Sequence, residues 1–171
     1  MNQGNNPLYG SGEKVAVAVW DGSKRTLANN ASASCIDPVS GTSKPLYLPD
    51  GALITKAYYH VATTFTDAGD DSSAIALGYT GATGAFVASV AISGSTNVWD
   101  AGAHGTLVGM GANLGADAAH DSALEVIALN AATMIHLTAQ KEILLTTSDE
   151  TAISTGKLTL YVHYVQTGDF S

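Results

Sequence analysis

The stretch that decides the fold is residues 51–65, GALITKAYYHVATTF, which the turn Pro49-Asp50-Gly51 introduces. Proline presets φ at the start of such a turn and glycine tolerates a positive φ near its end. The residues that follow are rich in β-branched and aromatic side chains, which favours a strand. Because alternate strand residues point to opposite faces, we expect a core face made of Leu53, Thr55, Ala57, Tyr59, Val61, Thr63 and Phe65. The opposite face is mixed and consists of Ile54, Lys56, Tyr58, His60, Ala62 and Thr64. The pattern predicts a long central strand whose second face is half covered by a loop or by another subunit.

Shorter strands are predicted on both sides of this central one. They are residues 14–20, 34–37, 46–49, 73–79, 85–92, 123–129, 133–138, 142–147, 151–154 and 157–165. In the last of them the predicted inward face is Leu158, Leu160, Val162 and Tyr164. Short strands separated by Gly-rich or acidic turns, with almost no helical pattern, indicate an antiparallel all-β sandwich with a jelly-roll-like topology.

Two segments do not fit a strand pattern. Residues 1–13 are polar and rich in Gly and Asn, which indicates a flexible N-terminal arm that orders against a partner. Residues 93–122 carry six glycines and predict one long loop, with a short helical turn near residues 117–120. Loops of this length usually face a partner or carry function. We therefore divide the chain into an arm, 1–13, and a single β-sandwich domain, 14–171.

Composition excludes several classes of function. The chain of 171 residues has a formal net charge of −8 and only seven Lys and Arg, so it lacks the cationic surface that a nucleic-acid partner requires. It has no signal-peptide pattern and no apolar run of about 20 residues, so we expect no membrane partner and folding in a cytoplasm. Charged residues make up only 13%, and the abundance of Gly, Ala, Ser and Thr is more typical of a coat or shell component than of a metabolic enzyme.

Candidate metal ligands are scattered and match no established pattern. Asp100 with His104, the cluster 117–121, and the acidic turn 67–71 bring carboxylates or imidazoles together in loops. Zn²⁺ or Ca²⁺ could bind such groups, but none has the fixed spacing of an EF-hand. We interpret all three as solvated loops and predict no metal ligand.

The sequence also lacks a motif for catalysis or for a cofactor. The glycine run 109–115 has neither the spacing of a dinucleotide fingerprint nor the Gly-Lys-Ser/Thr of a P-loop. No Gly-x-Ser-x-Gly occurs, and His60, His136 and His163 lie inside predicted strands, where a structural role is more common. Cys35 is the single cysteine, so it cannot form an intrachain disulfide, and we interpret it as a small buried residue. We predict no catalytic residue, no cofactor and no enzymatic activity.

Three segments carry a resemblance to known proteins. They are residues 49–65, with the Pro-x-Gly turn before an aromatic strand; residues 76–81, ALGYTG; and residues 156–165, GKLTLYVHYV. In these the chain resembles the small capsid-associated proteins of tailed bacteriophages, of the decoration or cement type. The resemblance implies a β-sandwich that forms a homotrimer on the outer surface of the head and stabilises the shell by bridging capsomers.

The resemblance also implies a partner, a location and contact residues. The partner is the major capsid protein, and the location is the capsid surface of a virion assembled in the host cytoplasm. The expected contacts lie in the arm and in the long loop: Asn5, Asn6, Pro7, Leu8, Tyr9, Trp99 and His104.

Two alternatives remain open at the level of sequence. One is another trimeric virion component, a tail or head-fibre subunit, although no shaft-like repeat is visible. The other is a carbohydrate-binding jelly-roll module, which requires an exposed aromatic platform. Trp99 is the candidate platform, while Trp20 is expected in the core.

Overall fold

The computed structural model describes residues 12–39, 44–69, 71–93, 97–106, 135–147 and 152–166. Within those ranges the chain forms ten strands and no helix. They are β1 (Lys14–Asp21), β2 (Ser32–Ser34), β3 (Tyr47–Leu48), β4 (Ala52–Thr63), β5 (Ala74–Tyr79), β6 (Ala82–Ala91), β7 (Gly102–Thr106), β8 (Ile135–His136), β9 (Lys141–Thr147) and β10 (Lys157–Gln166). In this part of the chain no helix is long or apolar enough to cross a membrane.

The strands form two antiparallel sheets that enclose one hydrophobic core. The first sheet has the order β1-β10-β4-β7, with β8 also paired to β4; the second has the order β2-β9-β5-β6, with β3 also paired to β9. Buried side chains of both sheets belong to one cluster, among them Tyr59 and Leu160 of the first sheet and Leu77 and Leu145 of the second. The predicted all-β sandwich is confirmed.

The pairing of the strands is nested. Strands β1 and β10 pair, then β2 and β9, then β4 and β7, and β5 and β6 form the innermost hairpin. A jelly roll requires this kind of nesting, because it is a long antiparallel hairpin rolled into two sheets. The connection between β7 and β8, residues 107–134, lies outside the described residues, and the jelly-roll topology stays a prediction.

Partway along the central strand β4, the side chains that point into the core change from even-numbered to odd-numbered positions. Ala52 and Ile54 are buried at its start, whereas Ala57, Tyr59 and Val61 are buried in its second half. The cause is a register shift against β10, where His163 pairs with Lys56 and Tyr164 pairs with Ile54, which leaves Thr55 unpaired. Because the side-chain period of a strand is two, one extra residue moves the following side chains to the other face.

The predicted core face is therefore wrong for the first half of β4 and correct from Ala57 to Val61, whereas Thr63, also expected in the core, is exposed. Leu53 and Thr55 were expected in the core but are only half-buried, and Ile54 takes the core position instead. The register shift explains the error, since it depends on the partner strand. In β10 the prediction is confirmed for Leu158, Leu160 and Val162, which are fully buried, while Tyr164 is only half-buried and packs against the core. Trp20 also lies in the core, as expected.

The predicted loop 93–122 contains a strand, which corrects that expectation. Residues 102–106 form β7 and pair with β4 from Ala57 to Val61. Two glycines in five residues give the segment a weak intrinsic strand preference, so the pairing to β4 determines its conformation. The predicted strand 123–129 and the helical turn at 117–120 lie outside the described residues. The predicted strand 151–154 is reduced to isolated bridges at Ile153.

Because Gly156 has no side chain, the backbone just before β10 can pack closely against the ring of Phe65. Its φ is +97°, and a Cβ added there would lie 2.4 Å from ring atoms of Phe65. Phe65 is 1% exposed, so its ring has no free space to move into. A side chain at position 156 therefore brings backbone strain and a steric clash together.

We expect Gly156→Ala to lower the free energy of unfolding by about 3 kcal/mol or more, because strain and overpacking add at this position. Gly12→Ala is the matched control: a Cβ at Gly12 has no neighbour within 4 Å, and we expect a change within about 0.5 kcal/mol. Urea denaturation of both variants measures the difference. Equal stability of the two variants would contradict this account of Gly156.

Candidate interaction surface

A small polar cluster lies where the predicted arm meets the first sheet. One carboxylate oxygen of Glu13, Oε1, accepts a hydrogen bond of 2.7 Å from the Thr55 hydroxyl. The other, Oε2, lies 3.1 Å from Nδ1 of His163. The Thr55 hydrogen bond and then the His163 contact hold the pKa of Glu13 below its usual value. Glu13 is therefore a carboxylate near neutral pH, fixed to the two central strands of the sheet.

The register shift in β4 positions this cluster. Thr55 is the residue left unpaired between β4 and β10, and His163 is the residue of β10 at which the shift occurs. Bulges commonly redirect a side chain in this way. The same irregularity that sets the core face of β4 thus places the Thr55 hydroxyl within reach of Glu13.

His163 is largely enclosed although it lies on the outer face of the sheet. Its side chain is 12% exposed. Neither ring nitrogen makes a hydrogen bond of good geometry, in spite of the short distance between Nδ1 and Glu13. The contact is thus electrostatic rather than a directed hydrogen bond, and it is an ion pair when the imidazole is protonated.

Aromatic and aliphatic side chains cover the centre of this outer face. Tyr58 stacks on Tyr161 with ring centroids 5.0 Å apart and an interplanar angle of 18°. The His163 ring lies 5.5 Å from the Tyr58 ring, and Nζ of Lys56 lies 5.8 Å from its centroid. Two valines of β1 complete the surface in register with β10. We call it the tyrosine face and define it as Val15, Val17, Lys56, Tyr58, Tyr161 and His163.

Trp99 does not lie at the surface, which corrects the prediction of an exposed loop residue. Its side chain is 0% exposed, its Nε1 donates a hydrogen bond of 3.1 Å to the Val90 carbonyl, and its ring packs against Tyr59 and Phe65. The Asn97 side chain turns the backbone by accepting a hydrogen bond from the Trp99 amide. A buried indole cannot serve as a sugar platform, so the carbohydrate-binding alternative loses its one candidate residue.

The other predicted contact residues are placed in part. His104 lies in β7, opposite Tyr59 of β4, and not in a loop. The arm residues Asn5, Asn6, Pro7, Leu8 and Tyr9 lie outside the described residues. Partner contacts by the arm and by His104 stay predictions.

The acidic turn at Asp67 has a structural role. Oδ1 of Asp67 accepts hydrogen bonds from the amides of Gly69 and Asp71, and Oδ2 accepts from the amide and the hydroxyl of Ser73. Burial alone would raise the pKa of Asp67, but these hydrogen bonds outweigh it and lower the pKa. The carboxylate is thus saturated by its own loop. Across the described ranges no group of three or more His, Cys, Asp or Glu side chains is placed to hold a metal ion; Asp70 and the cluster 117–121 lie outside them.

Cys35 is buried, as expected, and belongs to the core. Burial raises the pKa of its thiol to about 12. A thiol with that pKa is protonated at neutral pH, and a nucleophile requires the thiolate. Cys35 is therefore a packing residue.

We expect Asp67→Asn to destabilise the fold at pH 7 by about 1–3 kcal/mol, because buried donors of the loop lose a charged acceptor. The folded-state pKa of Asp67 is lowered, so its contribution is present above the unfolded pKa and is lost as pH falls through the folded one. The difference in unfolding free energy between wild type and variant should therefore become smaller below about pH 4. Urea midpoints at pH 7 and pH 3 measure it; a gap that is equal at both pH values would contradict the prediction.

A chain of a solved phage capsid is similar in fold to this chain. No protein-family model matches it, and no curated protein is significantly similar in sequence. A chain of the cyanophage Pam1 capsid asymmetric unit aligns with a TM-score of 0.53 at 12% sequence identity, over 93% of this chain and 88% of that one. A chain of the acidic stable capsid structure of Helicobacter pylori bacteriophage KHP30 aligns with a TM-score of 0.46 at 16% identity, over 91% and 89% of the two chains. At 12% identity the similarity to the Pam1 chain concerns the fold alone.

Proposed function

We propose that the protein is a non-enzymatic virion structural protein, a decoration or cement protein, that binds the outside of a phage capsid and stabilises the shell by bridging capsomers. The observation that carries the proposal is the similarity of fold to a chain of the cyanophage Pam1 capsid, which extends over 93% of this chain. The segments that resemble phage decoration proteins fall on the two central strands of the first sheet and on β5 with its turn.

The surface chemistry is compatible with this role. The thiol is buried, and the acidic turn at Asp67 is saturated by its own loop. A net charge of −8 suits a position on the outside of a shell, away from packaged nucleic acid. The described part of the chain is a β-sandwich to which the end of the arm is attached through the contacts of Glu13 with Thr55 and His163.

The arm is the proposed contact with the major capsid protein. An arm that orders on binding can bury a large surface, but it loses conformational freedom as it does so. Fixing its last residue to Thr55 and His163 restricts where the arm leaves the sandwich, which reduces that loss. Asn5, Asn6, Pro7, Leu8 and Tyr9 supply the contacts in this proposal.

Stabilisation of the shell then follows from binding alone. A ligand that binds the intact shell and not its separated subunits stabilises it by RT ln(1 + [L]/Kd), which is about 2.7 kcal/mol per site at 100 times Kd. A homotrimer with three arms bridges neighbouring capsomers and gains avidity from linked sites. No step of this role requires a catalytic side chain.

The test compares the full chain with a variant that lacks residues 2–11, on purified heads without the protein. We expect the full chain to co-sediment with the heads and to raise their rupture temperature. The deletion variant should bind at least tenfold more weakly, because it keeps the Glu13 contacts but lacks the arm.

Full-length Glu13→Gln is the matched control for the attachment point, and we expect its head binding to lie between those of the other two proteins. Failure of the full chain to bind heads would contradict the proposed function. Equal binding by the full chain and the deletion variant would contradict the role of the arm.

A further inference from the structure

We propose that the tyrosine face is the surface through which one copy of this chain contacts a second copy. The inference deepens the proposed function, since that role includes a homotrimer without saying which surface joins its subunits. Four properties of the described residues support it: the content of the face, the contrast with the opposite sheet, the balance of charge, and the buried ring nitrogens of His163.

The face presents large side chains in two adjacent rows across three strands. Strand register places Val17 beside Tyr161 and Tyr161 beside Tyr58; the next row is Val15, His163 and Lys56. Val15 is 48% exposed, one of the most exposed large apolar residues in the described ranges. Tyrosine is enriched in the energetically dominant part of interfaces, because it combines a large apolar area with a polar tip.

The outer face of the second sheet has a different character. Apart from one leucine, its rows consist of small or hydroxyl-bearing side chains: Ser32, Thr146 and Ala76 in one row, and Ser34, Leu144 and Gly78 in the next. The hydroxyls of Ser32 and Thr146 are hydrogen-bonded to each other at 2.7 Å, and Ser34 donates to Glu142. This surface has few large side chains that could anchor an interface. It therefore serves as the control surface for substitutions in the tyrosine face.

The balance of charge at the tyrosine face favours binding of a second copy of this chain. The chain carries a net charge of −8, so most pairs of surfaces on two copies repel each other. At the tyrosine face the described carboxylates are Glu13 and Asp21, and each has a neighbour: His163 for Glu13, Lys157 at 3.5 Å for Asp21. Lys24 also lies 3.7 Å from Asp21, so Lys24, Lys56 and Lys157 face two carboxylates, and the face and its rim carry no excess negative charge. Self-association here avoids the repulsion that the acidic surface imposes elsewhere.

The buried ring nitrogens of His163 also support the tyrosine face as the contact surface. Nε2 has neither solvent contact nor a hydrogen-bond partner, a costly state for a polar atom, while Nδ1 has only its 3.1 Å contact with Glu13. Val15, Lys56 and Tyr58 surround the ring from the neighbouring strands, and Glu13 contacts it from the end of the arm. A second subunit that shifts these side chains slightly on docking can supply the missing partner.

The test is the mass of the full-length protein in solution, by light scattering and sedimentation velocity at concentrations up to about 100 μM. We expect the wild type to be an oligomer. Val15→Glu and Tyr161→Ala should each weaken self-association at least tenfold, the first by adding an unbalanced charge and the second by removing an anchor. Ser32→Glu adds the same charge to the outer face of the second sheet and should leave the mass unchanged. Val15→Glu lies at an exposed position, so its effect is separable from a failure to fold, which circular dichroism checks.

Binding of the same proteins to heads separates this inference from the proposed function. A wild type that is monomeric yet binds heads would overturn the inference and leave the function standing. Variants with unchanged mass that no longer bind heads would also overturn it, because the face would then contact the shell. An oligomer that dissociates in Val15→Glu but never binds heads would support the inference and contradict the function.

Discussion

The antiparallel pairing of β4 with β10 is the interaction on which the rest of the structure depends. These strands lie at the centre of the first sheet and supply Tyr59, Val61, Leu158, Leu160 and Val162 to the core. Their outer edges hold β1 on one side and β7 with β8 on the other. Strands β1, β7 and β8 therefore reach their positions through this one pair.

The register of that pair also determines the candidate interaction surface. Leaving Thr55 unpaired puts Ile54 and Ala57 in the core together, and it brings the Thr55 hydroxyl to Glu13. On the outer side the same register aligns Tyr58 with Tyr161 and allows their rings to stack. One irregular pairing thus links core packing, the attachment of the arm and the tyrosine face.

The sequence predicted the parts of the fold that depend on local pattern. Alternation of apolar residues identified β1 and β10 and three buried positions of β10, Leu158, Leu160 and Val162. It failed in the first half of β4, because the unpaired Thr55 is defined against β10 and not within β4 itself. It also missed β7, whose glycines favour a loop and whose strand conformation comes from pairing with β4.

The candidate site was harder to predict for a similar reason. A tryptophan in a Gly-rich segment was expected at the surface, but the Asn97 turn directs Trp99 into the core. The mixed face of β4 was expected to be half covered by a loop or by another subunit; Lys56 and Tyr58 are half-buried and His60 is exposed, and a covering subunit stays a prediction. Glu13 contacts Thr55, which is 42 positions away in the sequence, and His163, which is farther still. A pattern within one segment of the sequence cannot predict such contacts.

The measurement that tests the central claim most directly is the amount of this protein in purified virions, by quantitative mass spectrometry against the major capsid protein. A protein that decorates the outer shell is expected at many copies per particle, in a fixed ratio to the major capsid protein, and it should remain with heads from which tails have been removed. Absence from purified particles would contradict a virion role. A few copies that leave with the tails would contradict decoration of the capsid and favour a tail component.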